Sequence, residues 1–452
     1  MRFRWACLAL AAILGCSEIA SSQQSGPASP ARSFTFTQID IELLEKCNQL
    51  DKLMEDRGML YPDAALTEYV SAVGNDVLPP GANPEHVVWQ FHVLRDSIPN
   101  AFALPNGSIY VNTGLLALLE NEAQLASVLA HEETHVLNRH GYLENRSTRK
   151  KALAANIIAG VADAGAGVGG LAGGAAAVVG VAAPAIVVST IYGYSRELEK
   201  EADVRAVAAT NNANYSTEEM VVALQLLDSS HEVDPSARTF YQDHPKLKER
   251  IAYVRELADS THSVTPHPMV EAKRYVAATE EVSRDNVAMD IREGRERTAV
   301  AVAQRLVKQN PESFQDYRAL GDAWRALGPR TPDPTPEELS SQGKSAARKA
   351  EVKLTPQEYE AALMDSPAGK AAWEVSRKQS EDAYRQALAL DPGNAAAHRG
   401  LGLLYEKEHM PERCAEEFQK YLQLEPDAPD GAQIRRRLEI AQRQTTPSQG
   451  AR

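Results

Sequence analysis

Residues 131–135 read His131-Glu132-Glu133-Thr134-His135. Upstream, Leu125, Val128 and Leu129 supply an apolar stripe, and Asn121 stands where an N-cap belongs, so the segment is predicted to be a helix anchored in a core. Side chains four apart on a helix share one face. Two imidazoles at that spacing can grip one metal ion. Glu132 projects from the flank of the same face, where a carboxylate can take a proton from a water. This is the layout of a zinc hydrolase. The blander reading is a core helix that carries two histidines by chance; the stripe, the cap and a ligand candidate downstream weigh against it.

A catalytic zinc needs three protein ligands and one open position. His140 is the nearest further histidine. At 100° per residue it lies about 180° around the helix from His131 and cannot reach the same ion unless the helix ends first. The extended three-histidine pattern also requires Gly at Asn138 and His at Gly141. His140 is therefore expected on the surface or behind a ligand. A second stretch, Tyr194-Ser195-Arg196-Glu197-Leu198-Glu199-Lys200-Glu201-Ala202-Asp203, reads as the start of a helix capped by Ser195. Glu199 and Asp203 share a face. One carboxylate there can bind the metal while the other accepts the N–H of a ligating imidazole and sets its tautomer. Glu197 and Glu201 are expected to point elsewhere. Spacing alone leaves a second reading open, a solvated acidic face paired with Arg196 and Lys200.

H-E-x-x-H followed by S-R-x-x-E-x-x-A-D resembles the HtpX-, Oma- and BepA-like zinc metallopeptidases, a gluzincin family. The resemblance implies one Zn2+ per chain held by His131, His135 and Glu199, with Glu132 as general base and Asp203 matching the family's Asp after the third ligand. Residues 100–115 resemble the family's edge hairpin, and His244-Pro245 followed by Arg250-Ile251 resembles its "HP…RI" element. Four motifs thus occur in order across residues 40–260. The residues themselves agree. Asn106-Gly107 between two apolar runs signals a two-residue type I′ turn. Ser108, Ile109, Tyr110 and Val111 would form a strand of that hairpin. As an exposed edge beside the metal it would pair with an extended substrate backbone; a buried strand with no free edge is the alternative. His244 reads either as a transition-state stabiliser or transient fourth ligand, or as a loop residue before Pro245.

The N-terminus reads as an export signal over residues 1–15, with Arg2 and Arg4 ahead of an apolar core from Trp5 to Leu14 that is too short to span a bilayer. Ile13-Leu14-Gly15-Cys16 resembles a bacterial lipobox, which makes Cys16 the lipidated residue of an outer-membrane lipoprotein facing the periplasm, since Ser17 is not the Asp that favours the inner membrane. An ordinary signal and a soluble periplasmic product form the alternative. Without residues 1–15 the net charge moves from −13 to −15 as Arg2 and Arg4 leave, which argues against nucleic acid as a partner. Cys47 and Cys414 could pair in an oxidising compartment, but their spacing says nothing about contact.

The expected fold class is α+β and mostly helical: a zincin-like metallopeptidase domain with a small sheet and edge hairpin over residues 34–262, after a flexible tether over 16–33. Helices are predicted over 39–54 and 65–77 and a strand over 87–94. Residues 164–194 are uncharged and rich in Ala and Gly, and read as a flap or membrane-contacting segment, or else as a buried Ala-rich helix pair. A linker is expected over 263–285. Beyond it, Leu388-Ala389-Leu390-Asp391-Pro392 recurs as Leu422-Gln423-Leu424-Glu425-Pro426, 34 residues on, the tetratricopeptide period. Leu401-Gly402, Tyr405, Ala415 and Phe418 match that motif. An earlier copy holds Asn310-Pro311, Leu320-Gly321 and Trp324. Residues 286–445 are thus expected to be an all-α repeat domain with an insertion near 328–372, whose concave surface would hold a protein partner. By resemblance the whole is a zinc endopeptidase of the bacterial envelope acting on unfolded envelope proteins. The other class is a repeat-based, chaperone-like scaffold with a latent or structural metal site.

Overall fold

The structure, a computed structural model, describes residues 34–148, 194–233, 247–261, 264, 266–331 and 363–445. Helix α1 (Gln38–Asp56) starts where the Asp40 carboxylate accepts the Thr37 backbone N–H at 2.7 Å. Its buried residues Leu43, Cys47, Leu50 and Met54 recur every three or four positions, so one face docks. Helix α2 (Ala64–Val77) is capped by Asp63, which accepts from the Leu66 N–H. Three strands follow: β1 (Gln90–Leu94), β2 (Ala101–Ala103) and β3 (Ser108–Asn112). Their order is β1-β3-β2, with β3 parallel to β1 and antiparallel to β2.

Side chains alternate across this sheet, and both faces are covered. Phe91, Val93, Ala101, Ala103, Ile109 and Val111 join α2 and the later helices in the main core. Leu94, Phe102 and Tyr110 face α1 in a second core. A strand covered on both faces and paired on both sides is central, so Ser108, Ile109, Tyr110 and Val111 are not the expected edge. On β1, the far side is also engaged, because Tyr61 N–H donates to Val93 and Arg95 N–H to Met59. Among the described residues the outer strand is β2. The turn differs as well. Leu104 N–H donates to Ser108 O and Gly107 N–H to Leu104 O, with Gly107 at φ +101° and Asn106 outside the positive-φ set. That is a three-residue loop, a type I turn closed by a glycine bulge, and not type I′, which needs positive φ at both central residues.

Short helix α3 (Thr113–Leu118) leads to α4 (Glu122–Leu137), whose residues are buried from Glu122 to Val136. Asn121 caps α4 by accepting from Gln124 N–H. The helix stops at Leu137. Arg139 then takes a left-handed backbone at φ 59°, and residues 140–148 resume as helix. A non-glycine residue in that region costs about 1–2 kcal/mol. Arg139 is held there by its guanidinium lying 4.6 Å and 4.7 Å from the ring centres of Phe34 and Phe36. Helices α5 (Arg196–Asn212), α6 (Glu218–Val233) and α7 (Leu247–Ser260) complete the core around α4.

The expected linker over 263–285 is largely structured. Helix α8 (Ala272–Arg292) places Tyr275 and Val282 in the main core, and the Tyr275 hydroxyl donates to Leu116 O at 2.7 Å. Apolar residues at helical spacing, not the preceding prolines, decide that stretch. Val287 of α8 and Ala117 of α3 belong instead to the next core, with helices α9 (Glu296–Gln309) and α10 (Phe314–Leu327). Then follow α11 (Pro367–Leu390), α12 (Ala395–Lys407), α13 (Pro411–Leu424) and α14 (Gly431–Thr445), an all-helical region consistent with a repeat domain. Helix α11 begins inside the expected insertion, at the Ser366 cap with Pro367 in its first turn. Gly321 and Gly400 lie so close to the Tyr384 ring that a Cβ would fall 2.6 Å and 2.3 Å from its carbons, which lets this side chain wedge between α10 and α12. Cys47 and Cys414 are free buried thiols in separate cores, so the pairing considered from sequence is absent. Cys16, His244 and residues 164–193 lie outside the described residues. Among the described residues no helix is long and apolar enough to cross a membrane.

Candidate metal centre

Helix α4 presents His131 and His135 from successive turns, and α5, packed against it, presents Glu199 and Asp203. His131 Nε2 and His135 Nε2 lie 3.1 Å apart. Glu199 Oε2 is 3.5 Å from His131 Nε2, and Oε1 is 3.6 Å from His135 Nε2. All three side chains are buried. Zinc bound tetrahedrally at 2.0–2.1 Å requires ligand atoms about 3.3 Å apart. The three separations bracket that value, and two imidazoles with one carboxylate are a donor set zinc prefers. The residues present therefore fit the ion.

Asp203 Oδ1 lies 2.9 Å from His131 Nδ1, so that nitrogen donates and Nε2 keeps its lone pair for a metal. Arg250 of α7 fixes Asp203 in turn, with Nε donating to Oδ2 at 2.9 Å and Nη2 to Oδ1 at 2.7 Å. Its Nη1 reaches Glu199 Oε2 at 3.1 Å, and the Tyr253 hydroxyl also donates to Asp203. Burial alone would push the Asp203 carboxyl up, but Arg250 and His131 bring it down to about 2. On His131, burial and the Arg250 charge work downward, and Asp203 and Glu199 outweigh them, raising it to about 9 in the metal-free protein.

His140 is buried at 0 % exposure, and its Nδ1 lies 3.0 Å from His135 Nδ1. The angular argument assumed a continuous helix. Because α4 ends at Leu137, His140 swings back against His135, on the ring nitrogen that faces away from the ligand cluster. Burial lowers its pKa to about 4 and keeps it neutral. Tyr194 stacks on His135 with ring centres 3.8 Å apart and planes 15° from parallel. Glu132 is fully buried beside His131 on α4. Ser195 occupies the N-cap position of α5. Arg250, Tyr253 and Tyr194 had no role in the reading of the sequence. For Arg250 the available signal was its place in the Arg-Ile pair after His244-Pro245.

The model of peptidase family M48 matches residues 64–258, a span that holds both ligand helices and Arg250. Those residues are an M48 metallopeptidase domain. The mitochondrial metalloendopeptidase OMA1 of Schizosaccharomyces pombe is 28% identical over 232 residues, 51% of this chain and 65% of that protein. A beta-barrel assembly-enhancing protease of Yersinia pestis is 27% identical over 224 residues, 48% of this chain and 43% of that protein. The protein of that name in Escherichia coli strain K12 is 36% identical over 81 residues, 18% of this chain and 16% of its own length. The chain thus spans less than two thirds of each of these relatives. Zinc is the metal of M48 peptidases, and the cluster on α4 and α5 is where this M48 domain would hold it.

Proposed function

We propose that this chain is a zinc-dependent endopeptidase of the bacterial envelope that cleaves unfolded or misassembled envelope proteins. The observation that carries it is the convergence of His131, His135 and Glu199 with Glu132 on the same turn of α4. Zinc held there supplies a Lewis acid that polarises the scissile carbonyl and makes a water easier to deprotonate. Glu132 takes the proton from that water and delivers it to the leaving amine. Asp203, gripped by Arg250, holds His131 in the tautomer that leaves Nε2 available.

The envelope assignment draws on the export signal and lipidated Cys16 read from the sequence, and on relatives that carry the name beta-barrel assembly-enhancing protease. In the same reading the helices after α8 form tetratricopeptide units that recruit substrate or a protein partner. The test is Glu132→Gln in the full chain. Zinc content should stay at wild-type level while cleavage of a labelled unfolded polypeptide falls about 10²- to 10⁴-fold. Undiminished cleavage would overturn the mechanism. Full rescue of a deletion strain by the same variant would instead favour a scaffold with a latent metal site.

A further inference from the structure

We propose that His140 is the positioning residue of the ligand His135, fixing its tautomer by accepting its Nδ1–H. The two Nδ1 atoms are 3.0 Å apart, with ring centres 5.0 Å apart and planes at 76°. At that separation one nitrogen carries a proton and the other a lone pair, since two lone pairs or two N–H groups facing each other repel. If His140 were the donor, His135 would carry its own proton on Nε2. That proton would point at His131 Nε2, 3.1 Å away, into the place where a ligand lone pair is needed. If His135 is the donor, its Nε2 lone pair faces Glu199 and His131, and the remaining proton of His140 sits on Nε2. The Glu201 carboxylate lies 3.6 Å from that nitrogen, close enough to favour an N–H there. Glu201 is itself steadied by Asn138 Nδ2 at 2.9 Å and Arg205 Nε at 3.5 Å.

The two histidine ligands are then oriented differently. His131 donates to a buried carboxylate backed by Arg250, whereas His135 donates to a neutral imidazole and is steadied on its ring face by Tyr194. Glu201, which spacing directed away from the site, enters it indirectly and connects it to the surface, its side chain being 44% exposed.

This inference rests on reading His135 as a metal ligand, so its test reads metal binding and not hydrolysis. Zinc would be titrated into the full chain in competition with a chromophoric chelator. For His140→Leu, which has no acceptor, zinc affinity should fall about 10- to 100-fold; His140→Asn, whose Oδ1 can take the place of Nδ1, should stay within about threefold of wild type. Equal loss in both variants would mean a packing role, and unchanged affinity in His140→Leu would mean no role; either overturns the proposal. Should the Leu variant fail to fold, nitrogen NMR of the zinc-loaded wild type decides. The expected protons are on His135 Nδ1 and His140 Nε2, and a proton on His140 Nδ1 refutes the assignment. A wild-type chain that binds no zinc would instead overturn the underlying metal-site reading.

Discussion

Asp203 serves two partners with one carboxylate, accepting from His131 on one side and from Arg250 on the other. In the metal-free protein this arrangement also stores a proton on His131, whose pKa is raised to about 9 from the ordinary 6.5. A raised histidine stabilises the fold fully below 6.5, and the contribution is lost as pH rises through 9. Zinc must expel the same proton. The apparent zinc affinity should therefore climb by about tenfold per pH unit from 6.5 toward 9 and level off above it. Chelator competition at several pH values checks this, and an affinity flat between 6.5 and 8.5 would contradict it. At this scale the His131–His135 pair was legible, because residues four apart on a helix share a face whatever surrounds them, whereas the choice of Glu199 came from the resemblance of its stretch to a known family. Arg250 was not legible, because its contact with Asp203 crosses 47 positions and exists only once α7 docks on α5.

Among the elements, two short irregularities place the site. The left-handed turn at Arg139 ends α4 and returns His140 to His135, where an unbroken helix would have carried it to the opposite side. The glycine bulge at Gly107 closes the hairpin and sets the register in which β2 flanks β3. The bounds of α1 and α2 follow from caps and apolar periodicity and fell within two residues of expectation. Strand order did not, because Ser108–Asn112 alternates the same way in the middle of a sheet as at its edge.

On the scale of the whole molecule, α8 is the joint. It fills the peptidase core with Tyr275 and Val282, reaches the helical core through Val287, and Arg305 of α9 donates to Leu118 O at 2.6 Å. A chain cut after residue 262 would leave that core open, whereas one cut after residue 294 keeps it filled. Removing an aromatic core residue typically costs about 3–5 kcal/mol, so the shorter chain should be insoluble or melt far below the longer one. Equal thermal stability of the two would show that α8 is dispensable. The sequence alone determined the ligand helix, the chemistry of its metal and the predominance of helix, since these depend on residue identity and periodicity within a few turns. The tertiary structure alone decided which strand lies outermost, that Arg250 grips Asp203 behind His131, and that Tyr275 and Val282 of α8 fill the peptidase core. Each of these is a contact between segments far apart in the chain, and local pattern carries no record of which distant face will cover it.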